Sequence, residues 1–265
     1  MGRVREKDQP SIPLKQALGL EERETISLVG AGGKTSLLFL LARELSSSGY
    51  RVITTTTTKI FEPAPGQTPF LSLGETSETI LRRVASHGHI TVASKRVAHG
   101  KLQGIPPDQV EELRESALVD YIIVEADGAA QRPLKAPESY EPVIPGCTGT
   151  VVGLVGADAF GVRLTEATVF RSHIFSRITG LSPGAEITCE AVCLAFTHAE
   201  GILKGTPRSA RVVIFFNKVD LDGGLAKGKE FAAKILGFPG STVERVVLGH
   251  LRSERPVVEV VSRGW

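Results

Sequence analysis

The interpretation of the fold depends on one stretch of sequence, Ile26-Ser27-Leu28-Val29-Gly30-Ala31-Gly32-Gly33-Lys34-Thr35-Ser36. An apolar, strand-like run ends in three glycines, and leucines then recur at helical spacing, which predicts a helix over residues 35–46. Glycines permit backbone conformations that direct several N–H groups at phosphate oxygens, and the helix N-terminus adds the positive end of its dipole. This order predicts a phosphate-binding loop whose nucleotide-binding residues are Gly30, Ala31, Gly32, Gly33, Lys34, Thr35 and Ser36.

The loop departs from the full pattern G-x-x-x-x-G-K-[ST] at one position, because Leu28 stands where the first glycine would be. The Gly-Lys-Thr half is intact. A dinucleotide-binding fingerprint fits worse, since its third glycine would fall on Thr35 and it gives Lys34 no role. In a phosphate loop, Lys34 reaches the β- and γ-phosphates and the Thr35 hydroxyl ligates Mg²⁺. The alternative is a glycine turn that merely opens a helix.

A second motif, Glu125-Ala126-Asp127-Gly128, follows the apolar residues 121–124. A carboxylate beside a phosphate loop can hold Mg²⁺, and alternation along a strand puts Glu125 and Asp127 on the same side. The sequence therefore predicts a metal site of Thr35, Glu125 and Asp127 and catalytic roles for Lys34, Glu125 and Asp127, without deciding which carboxylate touches the metal. The Gly128 amide is expected to sense the γ-phosphate. A solvated turn after a buried strand is the alternative.

A third motif, Asn217-Lys218-Val219-Asp220, follows the apolar residues 212–216. In such a motif the aspartate accepts hydrogen bonds from guanine N1–H and the exocyclic amine, whereas adenine presents the opposite pattern and leaves the carboxylate unpaired. We expect Asp220 to select GTP over ATP, Lys218 to pack over the base plane, and Asn217 to tie this segment to the phosphate loop.

Strand-like runs alternate with helix-like stretches along the chain. The strand-like runs are residues 26–29, 52–56, 90–93, 121–125, 151–155, 212–216, 245–248 and 257–261. The helix-like stretches beyond 35–46 are 108–118, with Asp108 as its cap, 185–203 and 226–236. This alternation predicts an α/β fold of P-loop NTPase type, with a doubly wound, mostly parallel sheet of about seven strands. We expect a polar lead-in over residues 1–24 with a short helix near 14–20, one domain over 25–265, and a small helical insertion over 157–185.

Composition limits the classes of function. Lys and Arg total 31 against 29 Asp and Glu, a formal net charge of +2, which argues against electrostatically driven nucleic-acid binding. The polar amino terminus lacks the apolar core of a signal peptide, and the longest apolar run, residues 37–42, is far below the roughly 18 residues of a membrane helix. Three cysteines without disulfide spacing are typical of a reducing compartment. We therefore expect a cytoplasmic protein that does not bind membranes.

Two loops supply further candidates for substrate or switch residues. Thr57, Thr58 and Lys59 follow the second strand, where a switch segment would contact the γ-phosphate, although β-branched threonines also simply favour strands. Arg132 and Lys135 follow the acidic motif and are candidates for binding an anionic substrate or a transition-state phosphoryl group. The alternative for both is a solvated loop charge.

The cysteines give a weaker signal. Cys189 and Cys193 are four residues apart on a predicted helix, a spacing that places both on one face, and we interpret them as core residues. Cys147, in a loop, is the better candidate for a reactive thiol.

Several strings together resemble the YqeC family. They are Val29-Gly30-Ala31-Gly32-Gly33-Lys34-Thr35, residues 54–59, Val124-Glu125-Ala126-Asp127-Gly128-Ala129, Pro133-Leu134-Lys135-Ala136-Pro137 and Glu141-Pro142-Val143-Ile144-Pro145, within residues 12–261. That family is associated with selenium cofactor biosynthesis and with selenium-dependent molybdenum hydroxylases. The resemblance implies a pathway, with a molybdenum hydroxylase or its selenium-handling machinery as partner, rather than a reaction.

A broader likeness is mechanistic. The pattern Glu-x-x-Gly, with Asn-Lys-x-Asp downstream, is similar to the pattern of the GTPases that deliver nickel or cobalamin-type cofactors to enzymes. The chain departs from them at Leu28 and lacks their Cys or His metal-delivery motif, so the nature of the cargo does not carry over. Residues and resemblance together predict a Mg²⁺-dependent hydrolase of GTP (or ATP) that assists selenium cofactor synthesis or insertion. Two alternatives stay open: a phospho- or nucleotidyl-transferase acting on a selenium or pterin substrate, and a carrier that binds nucleotide without hydrolysing it.

Overall fold

The computed structural model describes residues 11–264, so residues 1–10 of the predicted lead-in lie outside the described part. The helices are α1 (Leu14–Leu18), α2 (Lys34–Ser47), α3 (Ser77–His87), α4 (Pro107–Glu115), α5 (Ser172–Thr179), α6 (Cys189–Thr197) and α7 (Gly224–Leu236). The strands are β1 (Glu24–Gly30), β2 (Val52–Thr56), β3 (Lys59–Phe61), β4 (Leu71–Leu73), β5 (His89–Ala93), β6 (Lys95–Val97), β7 (Lys101–Gln103), β8 (Tyr121–Glu125), β9 (Leu134–Lys135), β10 (Thr150–Gly156), β11 (Val169–Phe170), β12 (Arg211–Asn217), β13 (Val243–Gly249) and β14 (Val257–Ser262). No helix within residues 11–264 is long and apolar enough to cross a membrane.

One large sheet has nine strands in the order β14-β13-β12-β10-β1-β8-β2-β5-β4. Neighbouring strands run parallel except β14, which pairs antiparallel with β13. Every predicted strand lies in this sheet. The additional strand β4 is only three residues long, too short to show a periodicity, so the prediction of about seven strands is too low. Two small sheets pair β9 with β11 and join β3, β7 and β6.

Helices cover both faces of the large sheet, in agreement with a doubly wound arrangement. Strand β1 is buried along its whole length, and its side chains alternate between the two faces. Ile26 and Leu28 pack in a core cluster with α1 and α2, whereas Val29 packs in a second cluster with α5, α6 and α7. The chain therefore has an α/β fold with a mostly parallel central sheet.

The three motifs of the sequence meet at one edge of this sheet. Strands β8, β1, β10 and β12 are adjacent and parallel, so their carboxyl ends lie side by side. The register pairs Leu28 with Glu125, Gly30 with Leu154, and Gly156 with Asn217. The crevice outside these strand ends is where open α/β sheets bind ligands.

The short helix predicted near residues 14–20 is present as α1, but the segment that carries it is not only a polar lead-in. Helix α1 lies within it, and its residues Leu14 and Leu18 are buried. The Glu44 carboxylate on α2 accepts hydrogen bonds from the backbone amides of Leu14 and Lys15, both at 2.8 Å. These contacts satisfy amides that a short helix leaves unpaired, and they fasten α1 to the core.

Three helical predictions need correction. Helix α4 begins at Pro107 with Pro106 as its N-cap, so Asp108 lies in the first turn and caps nothing. Helix α6 ends at Thr197 instead of residue 203, because the chain turns back and the Ile202 amide donates to the Ala195 carbonyl. The segment 157–185 is only partly helical: it holds a 3₁₀ turn, strand β11 paired with β9, and α5.

Candidate functional site

The glycine loop joins β1 to α2 in backbone conformations that favour glycine. Gly33 has a φ of 141°, and a Cβ there would lie 2.6 Å from Nδ2 of Asn217. Among residues 11–264 the amides of Gly32 and Gly33 have no hydrogen-bond partner, and the first amides of α2 are left free by helix geometry. Several N–H donors at the loop and the start of α2 are therefore unpaired, and free N–H groups at such a position can bind phosphate.

Gly30 and Ala31, both predicted to bind nucleotide, have amides that are already engaged. The Gly30 amide donates to Oδ2 of Asp127 at 3.0 Å, and the Ala31 amide donates to the Leu154 carbonyl at 3.0 Å. Leu28, which stands where the usual first glycine would be, is buried inside β1. These residues anchor the loop to the sheet, and its free donors begin at Gly32.

Lys34 lies at the base of the loop beside a buried carboxylate. Its Nζ donates to the Gly30 carbonyl at 2.5 Å and lies 3.1 Å from Oδ1 of Asp127. Both side chains are almost fully buried, with 4% and 0% exposed. Burial alone would lower the pKa of Lys34, but the carboxylates of Asp127 and Glu125 outweigh it and hold the pKa above its ordinary value. Lys34 is therefore a charged group inside the protein.

Thr35 and Glu125 come together at the mouth of the loop. The Thr35 hydroxyl donates to Oε2 of Glu125 at 2.8 Å, and both residues line one cavity. Burial raises the pKa of Glu125, an effect that Lys34 and the Thr35 hydroxyl partly offset. Asp127, the third predicted metal ligand, is fully buried beneath the loop and does not line the cavity.

This pair of oxygen donors fits a magnesium ion. Mg²⁺ uses one or two protein ligands in nucleotide sites and completes its shell with phosphate oxygens and water. Within residues 11–264, no cluster of three or more His, Cys, Asp or Glu side chains is arranged to hold a metal by itself. The donors that Thr35 and Glu125 supply therefore suit a metal that arrives with a polyphosphate.

Behind Asp127 lies a chain of buried ion pairs that the sequence reasoning missed. Lys135, a predicted anion-binding residue, is fully buried: its Nζ lies 3.0 Å from Oδ2 of Asp127 and donates to Oε2 of Glu141 at 2.8 Å. Arg171 extends the chain with bonds of 2.5 and 3.3 Å to the two oxygens of Glu141. Burial by itself would raise the pKa of Glu141, but Arg171 and Lys135 hold it below its ordinary value. Lys135 thus neutralises carboxylates inside the protein and does not reach the cavity.

The predicted base-reading motif lies next to the glycine loop. The Asn217 amide donates to the Gly32 carbonyl at 2.7 Å, and its oxygen accepts from the Leu251 amide at 3.1 Å, so Asn217 ties the loop to the segment after β13. Lys218 has a φ of 65° and pairs with Oδ2 of Asp158 at 2.5 Å, a partner that sequence reasoning missed. Asp220 is exposed, with His250 Nε2 at 3.5 Å from its Oδ2.

A single cavity of about 790 Å³ joins these groups. Its volume falls within the roughly 300–1,000 Å³ of small-molecule sites. The predicted site residues that line it are Gly32, Gly33, Lys34, Thr35, Ser36, Lys59, Glu125, Gly128, Arg132, Asn217, Lys218 and Asp220. Asp158, His250, Arg252 and Lys101 also line it without having been predicted. The glycine loop, the acidic strand end and the Asn217–Asp220 motif thus line one cavity.

The two predicted switch threonines do not line this cavity. The Thr57 hydroxyl donates to the Val143 carbonyl at 2.6 Å, and the Thr58 hydroxyl lies 3.2 Å from that of Thr56. Both side chains hold the connection between β2 and β3 in place.

The cysteines lie away from the site. Cys193 is buried and Cys189 half-buried in α6, where they pack in the core, as the sequence predicts. Burial raises the pKa of Cys147, which is against a reactive thiol there.

Comparison with known proteins places this geometry in a family. The family model described as YqeC protein matches residues 26–173. The chain is also 37% identical over 202 residues to a curated protein of Escherichia coli (strain K12) named "Uncharacterized protein YqeC", covering 76% of this chain and 78% of that one. The chain belongs to the YqeC family. The YqeC segment contains the glycine loop, Glu125, Asp127 and the buried ion pairs as far as Arg171, and it ends before the Asn217–Asp220 motif.

Proposed function

We propose that this YqeC protein is a Mg²⁺-dependent nucleotide hydrolase that prefers GTP and assists selenium cofactor synthesis or insertion for a molybdenum hydroxylase. The observation that carries the hydrolase part is the hydrogen bond between Thr35 and Glu125 beside Lys34, at the mouth of a loop with unpaired amides. A triphosphate needs N–H donors, a cation and a metal held at its terminal oxygens, and these residues provide each of them. The pathway part rests on the family resemblance.

The residues of the loop have separate roles in this proposal. The amides from Gly32 onward bind phosphate oxygens, and Lys34 leaves the Gly30 carbonyl to neutralise the β- and γ-phosphates. Thr35 and Glu125 would hold Mg²⁺, which would supply positive charge to neutralise the charge that develops on the phosphoryl oxygens. Asp127 keeps the loop in place through the Gly30 amide. We expect slow turnover in the isolated protein, on the order of 10⁻⁴–10⁻² per second, as for GTPases without their activating partner.

The preference for GTP is supported by the position of Asp220. Its exposed carboxylate lies on the cavity wall, and Asn217 couples its segment to the glycine loop. A carboxylate satisfies the two donors of guanine, whereas adenine would leave it unpaired at a cost of about 1–3 kcal/mol. That difference corresponds to roughly a tenfold to hundredfold preference for GTP.

Calorimetric titration with GTP and ATP, with and without Mg²⁺, tests the proposal. Asp220→Asn should remove the preference for GTP and improve binding of xanthosine triphosphate, whose 2-oxygen accepts a bond from the new amide. The matched control is Asp222→Asn, an exposed aspartate that does not line the cavity. Equal affinities for GTP and ATP, unchanged in Asp220→Asn, would refute the guanine assignment. Absence of binding to either nucleotide would refute the hydrolase.

The pathway part needs a cellular experiment. Cells lacking this protein should lose selenium-dependent molybdenum hydroxylase activity, and Lys34→Ala should fail to restore it where wild type succeeds. Full restoration by Lys34→Ala would separate the pathway role from nucleotide binding.

The transferase alternative is favoured by one observation. The cavity continues past the glycine loop to Lys59, Lys101 and Arg132, which leaves room for a second substrate. Product analysis distinguishes the two reactions: a hydrolase releases inorganic phosphate alone, and a transferase modifies a small molecule.

A further inference from the structure

Three cations from three different segments line the cavity beyond the glycine loop. They are Lys59 of β3, Lys101 of β7 and Arg132 of the loop after β8. Elsewhere on the same cavity wall, Lys34 and Lys218 are each paired with an aspartate, whereas Arg252 has no ion pair within residues 11–264. In the described part of the chain none of the three distal cations forms an ion pair. Cations gathered without counter-ions on the wall of a concave site attract an anion.

The small sheet of β3, β7 and β6 presents two of these cations together with an aromatic ring. Lys59 and Phe61 are two residues apart on β3 and share a face, and Lys101 lies directly opposite Phe61 in the antiparallel register. The Lys101 ammonium lies 4.9 Å from the centroid of the Phe61 ring. Phe61 is 47% exposed and also lines the cavity. This face therefore combines positive charge with a flat apolar surface.

The surrounding fold supports the strands that carry this face. Beneath the face, Ile60 and Leu102 are buried in a core cluster of their own. Arg96 of β6 donates to both carboxylate oxygens of Glu62, at 2.7 and 3.0 Å. This pair joins strand β6 to the end of β3. The wall is thus a supported surface of the protein.

Arg132 lines the same cavity from the loop between β8 and β9 and is held there by one hydrogen bond. Its Nε donates to the Glu166 carbonyl at 2.9 Å, and within residues 11–264 its terminal nitrogens have no partner. A guanidinium held in this way presents its remaining donors to a ligand oxyanion.

We propose that Lys59, Phe61, Lys101 and Arg132 bind a second substrate, a small molecule with an anionic group and a planar apolar part. The cations bind the anionic group and Phe61 stacks on the planar part. The location beside the glycine loop rests on the proposed function, because that loop is where the nucleotide phosphates would lie. A second substrate at this place would meet the terminal phosphate of the nucleotide.

Phenyl phosphate is a suitable probe, because it combines both features in one small molecule. The protein is first saturated with Mg²⁺ and a non-hydrolysable GTP analogue, which fills the glycine loop, and phenyl phosphate is then titrated calorimetrically. We expect one site, with affinity reduced about tenfold by Lys59→Ala, Lys101→Ala or Arg132→Ala, since each removes one charge-assisted contact. Phe61→Ala should weaken phenyl phosphate but not inorganic phosphate. The control is Lys95→Ala, an exposed lysine of the same small sheet that does not line the cavity.

The outcomes separate this proposal from the proposed function. Unchanged affinity in the three cation variants, or equal binding of uncharged benzyl alcohol, would overturn the anionic site. Loss of phenyl phosphate binding whenever the nucleotide analogue is present would show that the probe occupies the glycine loop. That result would also overturn the proposed second site. If the analogue itself does not bind, the proposed function fails. The second site is then tested by the same titration of nucleotide-free Lys34→Ala protein, in which dependence on Lys59 and Lys101 would support it and independence would refute it.

Discussion

Replacing Lys135 with methionine should destabilise the protein strongly. Lys135 is fully buried and lies between two carboxylates, 3.0 Å from Asp127 and 2.8 Å from Glu141. Methionine fills a similar volume without charge, so both carboxylates lose a partner in the interior. Breaking a buried ion pair costs about 3–5 kcal/mol when the remaining charge is left uncompensated. Here Asp127 keeps Lys34 and Glu141 keeps Arg171, so we expect the lower end of that range. The free energy of unfolding should fall by about 3 kcal/mol, and Tm should fall by about 6–12 °C at the usual 2–4 °C per kcal/mol.

Urea unfolding followed by circular dichroism measures this loss. The control is Lys229→Met, which removes a lysine from an exposed pair with Glu259 at 2.9 Å. An exposed pair contributes about 0–1 kcal/mol, so this variant should unfold nearly as wild type does. A loss below about 1 kcal/mol in Lys135→Met, indistinguishable from the control, would refute the argument that Lys135 neutralises the interior.

The same substitution should weaken nucleotide binding. Lys34 and Lys135 share the negative charge of Asp127, at 3.1 and 3.0 Å. Without Lys135, Asp127 attracts Lys34 more strongly and holds it away from the phosphates. We expect GTP affinity to fall about tenfold, or about 1.4 kcal/mol, in protein that calorimetry shows to be folded. Unchanged affinity in folded Lys135→Met would show that Lys34 does not have to leave Asp127.

Three other changes have defined outcomes. Thr35→Ala should abolish the gain in GTP affinity that Mg²⁺ gives, while Thr35→Ser, which keeps the hydroxyl, should retain it; equal behaviour of the two would refute the metal assignment. Gly33→Ala should reduce nucleotide affinity at least tenfold in a calorimetric titration, because its Cβ would displace Asn217 from the loop, and wild-type affinity would contradict this. Burial lowers the pKa of His89 from 6.5 to about 4, so between these pH values the unfolded chain binds a proton that the folded protein does not. The free energy of unfolding should therefore fall by about 3 kcal/mol as pH falls from 6.5 to 4, and His89→Gln should remove that dependence in urea titrations.

The central part of the fold is readable from sequence because its periodicity is strong and local. Residues 26–29 predict the strand that runs from Glu24 to Gly30, and 35–46 predict the helix Lys34–Ser47. The strands β3, β4, β6 and β7 have three residues each, which is less than two periods of any pattern, so nothing in the sequence marks them. The small sheet that carries Lys59 and Lys101 was accordingly not predicted.

In the site, too, contacts between residues of recognisable motifs were predictable, whereas contacts that depend on the folded chain were not. The tie between Asn217 and Gly32 is predicted, because both residues belong to motifs with known partners. Which carboxylate faces Thr35 is not predictable, because alternation along a strand places Glu125 and Asp127 on the same side. Only the folded loop shows that Glu125 meets Thr35, whereas Asp127 accepts from the Gly30 amide. The burial of Lys135 is equally unpredictable from sequence, because a lysine in a proline-rich loop is normally solvated. Only folding brings its counter-ions, Asp127 and Glu141, next to it. The sequence strings around Lys135 and Glu141 indicate a resemblance to a family, but they do not indicate that the two side chains form a buried ion pair.

In the proposed mechanism Lys34 moves to the nucleotide phosphates, and the buried ion pairs explain why this cation is the one that does so. Without Lys34, the chain pairs two carboxylates, Asp127 and Glu141, with two cations, Lys135 and Arg171, so its charges still balance. If Lys135 or Arg171 were removed, Lys34 would be needed to balance the two carboxylates, and its movement to a phosphate would leave a buried negative charge uncompensated, which costs several kcal/mol. Arg171 is also the N-cap of α5, so one of the two cations that would replace Lys34 is held in the segment 157–185, and the other, Lys135, lies on β9. The glycine loop and Arg171 are thus linked through Asp127, Lys135 and Glu141, and all of these residues lie within the YqeC segment, residues 26–173.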